Sequence, residues 1–119
     1  MSQKLPESGK TLAVNVDIDG LRFYRQIHGL QDTKSKKDPI WDDGVPRFIE
    51  FFSDLNLRAT FFVIAEDLVP KSKGGAAPSI KEANRRKSLL RSMRKAGHEI
   101  ASHSFAHDYA LSQGHYRDI

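Results

Sequence analysis

The 119-residue sequence has no cysteine, a single tryptophan and no long apolar run. Without cysteine, disulfide bonds and thiolate ligands are excluded, so a bound metal ion would be held by His, Asp or Glu. No stretch approaches the roughly 20 apolar residues that span a bilayer, and the polar segment 1–10 lacks the apolar stretch of a secretory signal. We therefore expect a cytoplasmic protein without a membrane span.

The formal net charge is +4. Lysine and arginine are spread along the chain without the interleaved aromatic residues that stack on bases, so we expect no nucleic-acid partner. Hydrophobic residues make up 39% of the sequence, which suits a folded chain of one domain. We divide the chain into a polar tail, residues 1–10, and one domain, residues 11–119.

Short apolar segments alternate with helical patterns along the chain. Strands are predicted over residues 11–16, 59–65 and 98–102, and helices over 45–55 and from Ser79 to about Ala96. Residues 21–44 are predicted as a long mixed connection. Because helical connections make neighbouring strands parallel, the sequence predicts an α/β fold with a parallel sheet and crossover helices.

Both predicted helices carry start signals and an apolar stripe. Asp43 is expected to cap the first helix, with Pro46 in its first turn, whereas Ser79 and Glu82 form a capping box for the second. The residues predicted to be buried are Val45, Phe48, Ile49, Phe52 and Leu55 in the first helix, and Ile80, Ala83, Leu90 and Met93 in the second. The basic residues predicted to face solvent are Arg85, Arg86, Lys87 and Arg94.

Residues of metal-ligand type follow the first and third predicted strands, whose carboxyl ends meet at one edge of a parallel sheet. The i, i+2 spacing of Asp17 and Asp19 turns both carboxylates to one side. His103 and His107 would come together on one helical turn. Two imidazoles and one carboxylate can hold a divalent ion with open positions, while a second carboxylate accepts a proton. The sequence therefore predicts a divalent-metal site at this edge.

The other titratable residues near the predicted strands give weaker signals. His98 begins the third strand at the opposite edge, which favours a structural role, and His28 and His115 receive none. Glu66 and Asp67 follow the second strand, so they either face the pocket or lie exposed to solvent. The His-Glu-x-x-His signature of zincin peptidases is absent.

Three stretches resemble the polysaccharide deacetylase superfamily (NodB homology, carbohydrate esterase family 4): residues 17–20, 58–63 and 97–107. Residues 44–48 are similar to members that deformylate or deacetylate amino sugars. The resemblance implies a distorted (β/α) barrel, of which this chain is the N-terminal part. It also implies metal-dependent hydrolysis of an N-acetyl or N-formyl amide on a carbohydrate or a related small compound.

By position, the resemblance makes Asp19, His103 and His107 the metal ligands and Asp17 the catalytic base. The implied ion is Zn²⁺, with Co²⁺, Ni²⁺ or Mn²⁺ as alternatives. Ile18 separates two aspartates that are adjacent in the common form of the family. The length is about half of what an eight-stranded barrel needs, so we expect a piece of a longer enzyme.

Two alternatives remain open at the level of sequence. Asp17-x-Asp19-Gly20 after an apolar strand also resembles haloacid dehalogenase-type phosphatases, in which the first aspartate is the nucleophile and Mg²⁺ the usual ion. That family gives His103 and His107 no role. The second alternative is a non-catalytic fragment that binds metal without turning over substrate.

Overall fold

The computed structural model describes residues 9–31, 37–70 and 77–108. Within them, strands β1 (Asn15–Ile18), β2 (Thr60–Val63) and β3 (Glu99–Ser102) form one sheet. The helices are α1 (Leu21–Ile27), α2 (Val45–Asp54) and α3 (Ile80–Lys95), and shorter helical turns span Ile40–Gly44 and Ala65–Leu68. No helix in the described ranges combines the length and the apolar character needed to cross a membrane.

The sheet is parallel and has the order β1-β2-β3. Asp17 is opposite Phe62 in the register, and Phe62 is opposite Ala101. The predicted α/β class and parallel pairing are therefore confirmed. The described residues form an open sheet consistent with part of a (β/α) barrel, and the barrel itself is not confirmed.

The connection predicted over residues 21–44 contains more structure than expected. Its first part is α1, which buries Phe23, and its last part is the π-helical turn Ile40–Gly44, which buries Trp41. Each element is short and has no repeated apolar stripe from which to predict it. Asp38 and Pro39 do mark the start of the second one, where the Ile40 N–H donates to Asp38 Oδ1 at 3.0 Å. Burial of one aromatic side chain in each element adds the tertiary contact that such short helices need.

The helix starts agree with the sequence for α3 and disagree for α2. Ser79 Oγ accepts a hydrogen bond from the Glu82 N–H at 3.1 Å, which confirms this half of the capping box. The expectation that Asp43 caps α2 is wrong. The π-helical turn leads directly into α2, so the Val45 N–H already donates to the Ile40 carbonyl. Asp43 instead pairs with Arg47, at 3.0 Å from its Nε.

The core lies where α2 and α3 cover the sheet. Its buried members are Ile18, Trp41, Val45, Phe52, Ala59, Phe61, Val63 and Met93. The predicted stripes are too wide, since Phe48, Leu55 and Ile80 are exposed. Strands of four residues cover only part of each helix. Arg86 was also predicted wrongly: it is buried, and its guanidinium donates to the Asp67 carbonyl.

Candidate metal centre

The carboxyl ends of β1 and β3 bring the two predicted groups of ligand-type residues together. Asp17 lies in β1 and Asp19 directly after it, whereas His103 follows β3. The His103 N–H donates to the Val63 carbonyl at 2.9 Å, so backbone pairing with β2 extends as far as this residue. The sheet thus fixes the backbone positions from which these side chains converge.

The loop that carries the two histidines differs from the predicted helical turn. Ser104 and His107 both have left-handed backbone conformations, with φ of 64° and 50°. The His107 N–H donates to Ser104 Oγ at 3.0 Å, which closes the loop. The imidazoles nevertheless come together, with ring centroids 4.8 Å apart in an edge-to-face arrangement. A compact loop closed by the Ser104 side chain, rather than a helix, produces this proximity.

The side-chain distances define a triad. His103 Nε2 lies 3.2 Å from Asp19 Oδ1, and His107 Nε2 lies 3.6 Å from Asp19 Oδ2. One potential ligand atom from each of the three residues lies within 4.8 Å of the others. Asp17 Oδ2 is 3.8 Å from His103 Nε2, so both carboxylates face the same imidazole, as their i, i+2 spacing predicts.

These three residues fit a divalent ion by chemistry and by spacing. Ligand atoms at about 2.1 Å from a tetrahedral ion are roughly 3.4 Å apart, close to the observed separations. Asp19 Oδ1 is buried and has no hydrogen-bond partner among the described residues. A buried carboxylate oxygen is costly when unsatisfied, and a cation between the imidazoles and this oxygen would satisfy it. The set of two nitrogens and one oxygen is typical of zinc sites.

Aromatic rings support the triad from two elements. The Phe62 ring of β2 lies 6.4 Å from the His103 ring, and the Phe23 ring of α1 lies 5.5 Å from the His107 ring. A cavity of about 250 Å³ opens beside the imidazoles. Its lining residues are Ser102, His103, Ser104, His107 and Asp108. Asp17 is the most open of the four site residues, with 58% of its side chain exposed.

A cluster of buried charged residues, which the sequence did not reveal, is centred on Asp67. Asp67 is 1% exposed, so of the two alternatives for this residue the solvent-exposed one is wrong. The Trp41 Nε1–H donates to Asp67 Oδ2 at 3.2 Å, and the Arg86 guanidinium donates to the Asp67 carbonyl at 2.9 Å. The Arg22 guanidinium lies 3.2 Å from Asp67 Oδ1. The only hint in the sequence was the position of Asp67 after β2.

Burial shifts the protonation equilibria of this cluster. Desolvation raises the pKa of Asp67, an effect opposed by the Trp41 hydrogen bond and by the charges of Arg22 and Arg86. Desolvation likewise lowers the pKa of Arg86. The cluster is thus a set of mutually dependent charges, in which removal of one leaves the others poorly compensated.

His98 lies at the opposite edge of the sheet, as expected. Its Nδ1 accepts the Ala59 N–H at 3.0 Å, and its ring packs against Phe52 and Phe61. Burial lowers the pKa of His98, which favours the neutral ring that this hydrogen bond requires. These contacts confirm the structural interpretation. His28 is exposed and its ring lies 4.4 Å from that of Tyr24 at a tilted angle, and His115 lies outside the described residues.

A comparison with models of protein families places part of the chain in a known family. The family model described as polysaccharide deacetylase matches residues 37–117, about two thirds of the chain. The matched region contains His103 and His107 and begins downstream of Asp17 and Asp19. Neither the curated proteins nor the solved structures gave a significant match.

Proposed function

Because the chain belongs to the polysaccharide deacetylase family, we propose that it hydrolyses the N-acyl amide of a carbohydrate or related small compound at a metal centre. The family suggests a hydrolase that acts on carbon–nitrogen bonds. The observation that carries the proposal is the convergence of Asp19, His103 and His107, whose potential ligand atoms lie within 4.8 Å of one another. The acyl group, acetyl or formyl, is left open.

In this proposal Asp19, His103 and His107 hold the ion, and Zn²⁺ suits their oxygen and nitrogen atoms best. A bound divalent ion supplies Lewis acidity, which lowers the pKa of a coordinated water and polarises the acyl carbonyl. Asp17 accepts the proton of the attacking water at Oδ2. Two observations support this role: Asp17 Oδ2 lies 3.8 Å from His103 Nε2, and its side chain is open to solvent on the same side.

The geometry also bears on the phosphatase alternative. In that reading Asp17 is a nucleophile and the two histidines have no function. Yet both imidazoles contact the Asp19 carboxylate, within 3.2 and 3.6 Å. An arrangement of two imidazoles around a carboxylate is better suited to a metal-dependent hydrolase, and the family match supports the same choice.

The proposal is tested by removing one imidazole at a time. We expect His103→Ala and His107→Ala each to lower Zn²⁺ affinity by at least about 100-fold, because each removes one of three ligands. Affinity is measured by calorimetry on the 119-residue chain. His28→Ala is the matched control, since His28 is exposed and in contact only with Tyr24 among aromatic residues of the described chain.

The reaction is tested with the zinc-loaded protein, or with a longer chain that contains it, on N-acetyl and N-formyl amino sugars. Released acetate or formate is measured beside phosphate release from a phosphomonoester. We expect acyl release that disappears in both histidine variants. Phosphate release that survives both substitutions would support the phosphatase alternative, and zinc binding without either reaction would support the non-catalytic one.

A further inference from the structure

We propose that Asp67 is a positioning residue that sets the separation between Asp19 and the loop bearing His103 and His107. This inference rests on the proposed metal site. Asp67 is remote in sequence from all three proposed ligands, and only its position after β2 marks it in the sequence. It lies in the turn after β2, between the ends of β1 and β3, and so between the two segments that carry the triad.

The turn Ala65–Leu68, to which Asp67 belongs, holds the histidine loop through the backbone. The Ala65 N–H donates to the Ser104 carbonyl at 3.1 Å, and the Glu66 N–H donates to the Phe105 carbonyl at 2.8 Å. Both acceptors lie between His103 and His107. The position of the turn therefore determines where the two imidazoles are presented.

The side chain of Asp67 holds the other half, which carries Asp19. A methyl group built on Gly20 would lie 3.0 Å from Asp67 Oδ2 and 2.8 Å from Asp38 Oδ2, so both carboxylates pack closely against the residue after Asp19. Asp38 Oδ2 also accepts the Leu21 N–H at 3.0 Å. The backbone that follows Asp19 thus lies on two carboxylates.

Arg22 adds a charged contact to the same side. Its guanidinium lies 3.2 Å from Asp67 Oδ1 and 4.4 Å from the centroid of the Phe23 ring. Phe23 in turn packs against the His107 ring at 5.5 Å. The ion pair between Asp67 and Arg22 therefore holds the first turn of α1. That turn follows Asp19 and carries Phe23, the ring that packs against His107.

Asp67 is itself immobilised from behind. Trp41 is fully buried and donates its indole N–H to Oδ2, while Arg86, 3% exposed, donates to the Asp67 carbonyl. Asp67 is thus held by Trp41, Arg22 and Arg86 and has little freedom to move. It can therefore keep a fixed distance between the segment after β1 and the loop after β3. A purely structural ion pair at this place would stabilise the fold without any bearing on the affinity for a metal ion.

The test compares Asp67→Asn with Asp43→Asn. The first substitution keeps the shape of the side chain and an acceptor for Trp41 but removes the charge that attracts Arg22. The second removes the same charge from an exposed pair with Arg47, in the helical turn that precedes α2. We expect Asp67→Asn to weaken Zn²⁺ binding by about 10- to 100-fold at a temperature at which circular dichroism shows it folded. We expect Asp43→Asn to bind like the unchanged chain.

A second readout is the visible absorption of bound Co²⁺, which depends on the number and geometry of its ligands. A changed spectrum in Asp67→Asn, together with the loss of affinity, supports a positioning role. If Asp67→Asn does not fold, Arg22→Met breaks the same link from the side of α1, and the same loss of zinc affinity is expected.

The outcomes separate this inference from the proposed function. If the unchanged chain binds no Zn²⁺, the proposed metal site fails and this inference with it. If the unchanged chain binds Zn²⁺ and the folded variant binds it equally well with the same Co²⁺ spectrum, Asp67 has no positioning role. The proposed function would stand in that second case.

Discussion

At the scale of single residues, Gly97 shows how a backbone conformation limits the sequence. It ends the turn after α3 with φ of 93°, a region that side-chain-bearing L-residues rarely adopt. An added methyl group would lie 2.9 Å from Arg58 Nε, although that side chain is exposed and can move. The backbone strain, rather than the contact, is therefore the main penalty for substitution.

We expect Gly97→Ala to lower the free energy of unfolding by about 1–2 kcal/mol, because alanine must adopt the left-handed conformation. Gly44→Ala is the matched control: Gly44 has φ of −61° and its added methyl would meet only the Pro39 carbonyl, at 3.7 Å. That change should be neutral or stabilising by a few tenths of a kcal/mol. Urea denaturation of the three proteins measures both effects, and equal losses in both variants would contradict the explanation.

The proposed site shows what residue patterns can and cannot predict. The grouping of four residues was predictable: Asp17, Asp19, His103 and His107. Charged side chains are rarely buried without a partner, and parallel strands end at a common edge of the sheet. The compact loop around Ser104 was not predictable, since a spacing of four residues fits a helical turn equally well. Asp67 was not predictable either, because its burial depends on Arg22, Trp41 and Arg86, which come from three other elements.

At the scale of elements, α3 is the longest helix among the described residues. It runs over 16 residues, begins with a side-chain cap and ends at a glycine turn. Its start was predictable because the capping box is a local device of four residues. The exposure of Ile80 and the burial of Arg86 were not predictable, since both depend on where the sheet and Asp67 lie relative to the helix.

We expect Ser79→Ala to lower the free energy of unfolding by about 1 kcal/mol, because the Glu82 N–H loses its acceptor. Ser88→Ala serves as the control: Ser88 is exposed in the middle of α3, where alanine favours the helix slightly. Thermal denaturation followed by circular dichroism compares the two. A loss in Ser88→Ala as large as that in Ser79→Ala would show that the hydroxyl at the cap has no special role.

At the scale of the whole molecule, the sheet has two open edges among the described residues, since β1 and β3 each pair with β2 alone. The N–H groups of Glu99 and His103 donate to β2, so the alternation along the strand turns the Ser102 N–H away from it. An unpaired edge of this kind is a template for another strand. The parallel order itself was predictable from the alternation of strands and helices, whereas barrel closure involves more strands than the described residues contain.

We expect the 119-residue chain to associate in a concentration-dependent manner, because no described strand pairs with the outer edge of β3. Ser102→Pro removes one outward donor and leaves the pairing with β2 intact, so it should reduce association. Ser102→Ala retains the N–H and should behave like the unchanged chain. Sedimentation velocity at several concentrations distinguishes these outcomes, and a monomer at every concentration would contradict the expectation.

The burial of Trp41 has a practical consequence for anyone who works with this chain. It is the single tryptophan of the sequence, it is fully buried, and its indole N–H is bonded to Asp67. The guanidinium carbon of Arg86 lies 5.4 Å from its ring centroid, so a charge that affects the indole is close by. The tryptophan fluorescence of the protein therefore originates from one place in the molecule, and that place lies next to Asp67, behind the loops that carry the proposed metal ligands.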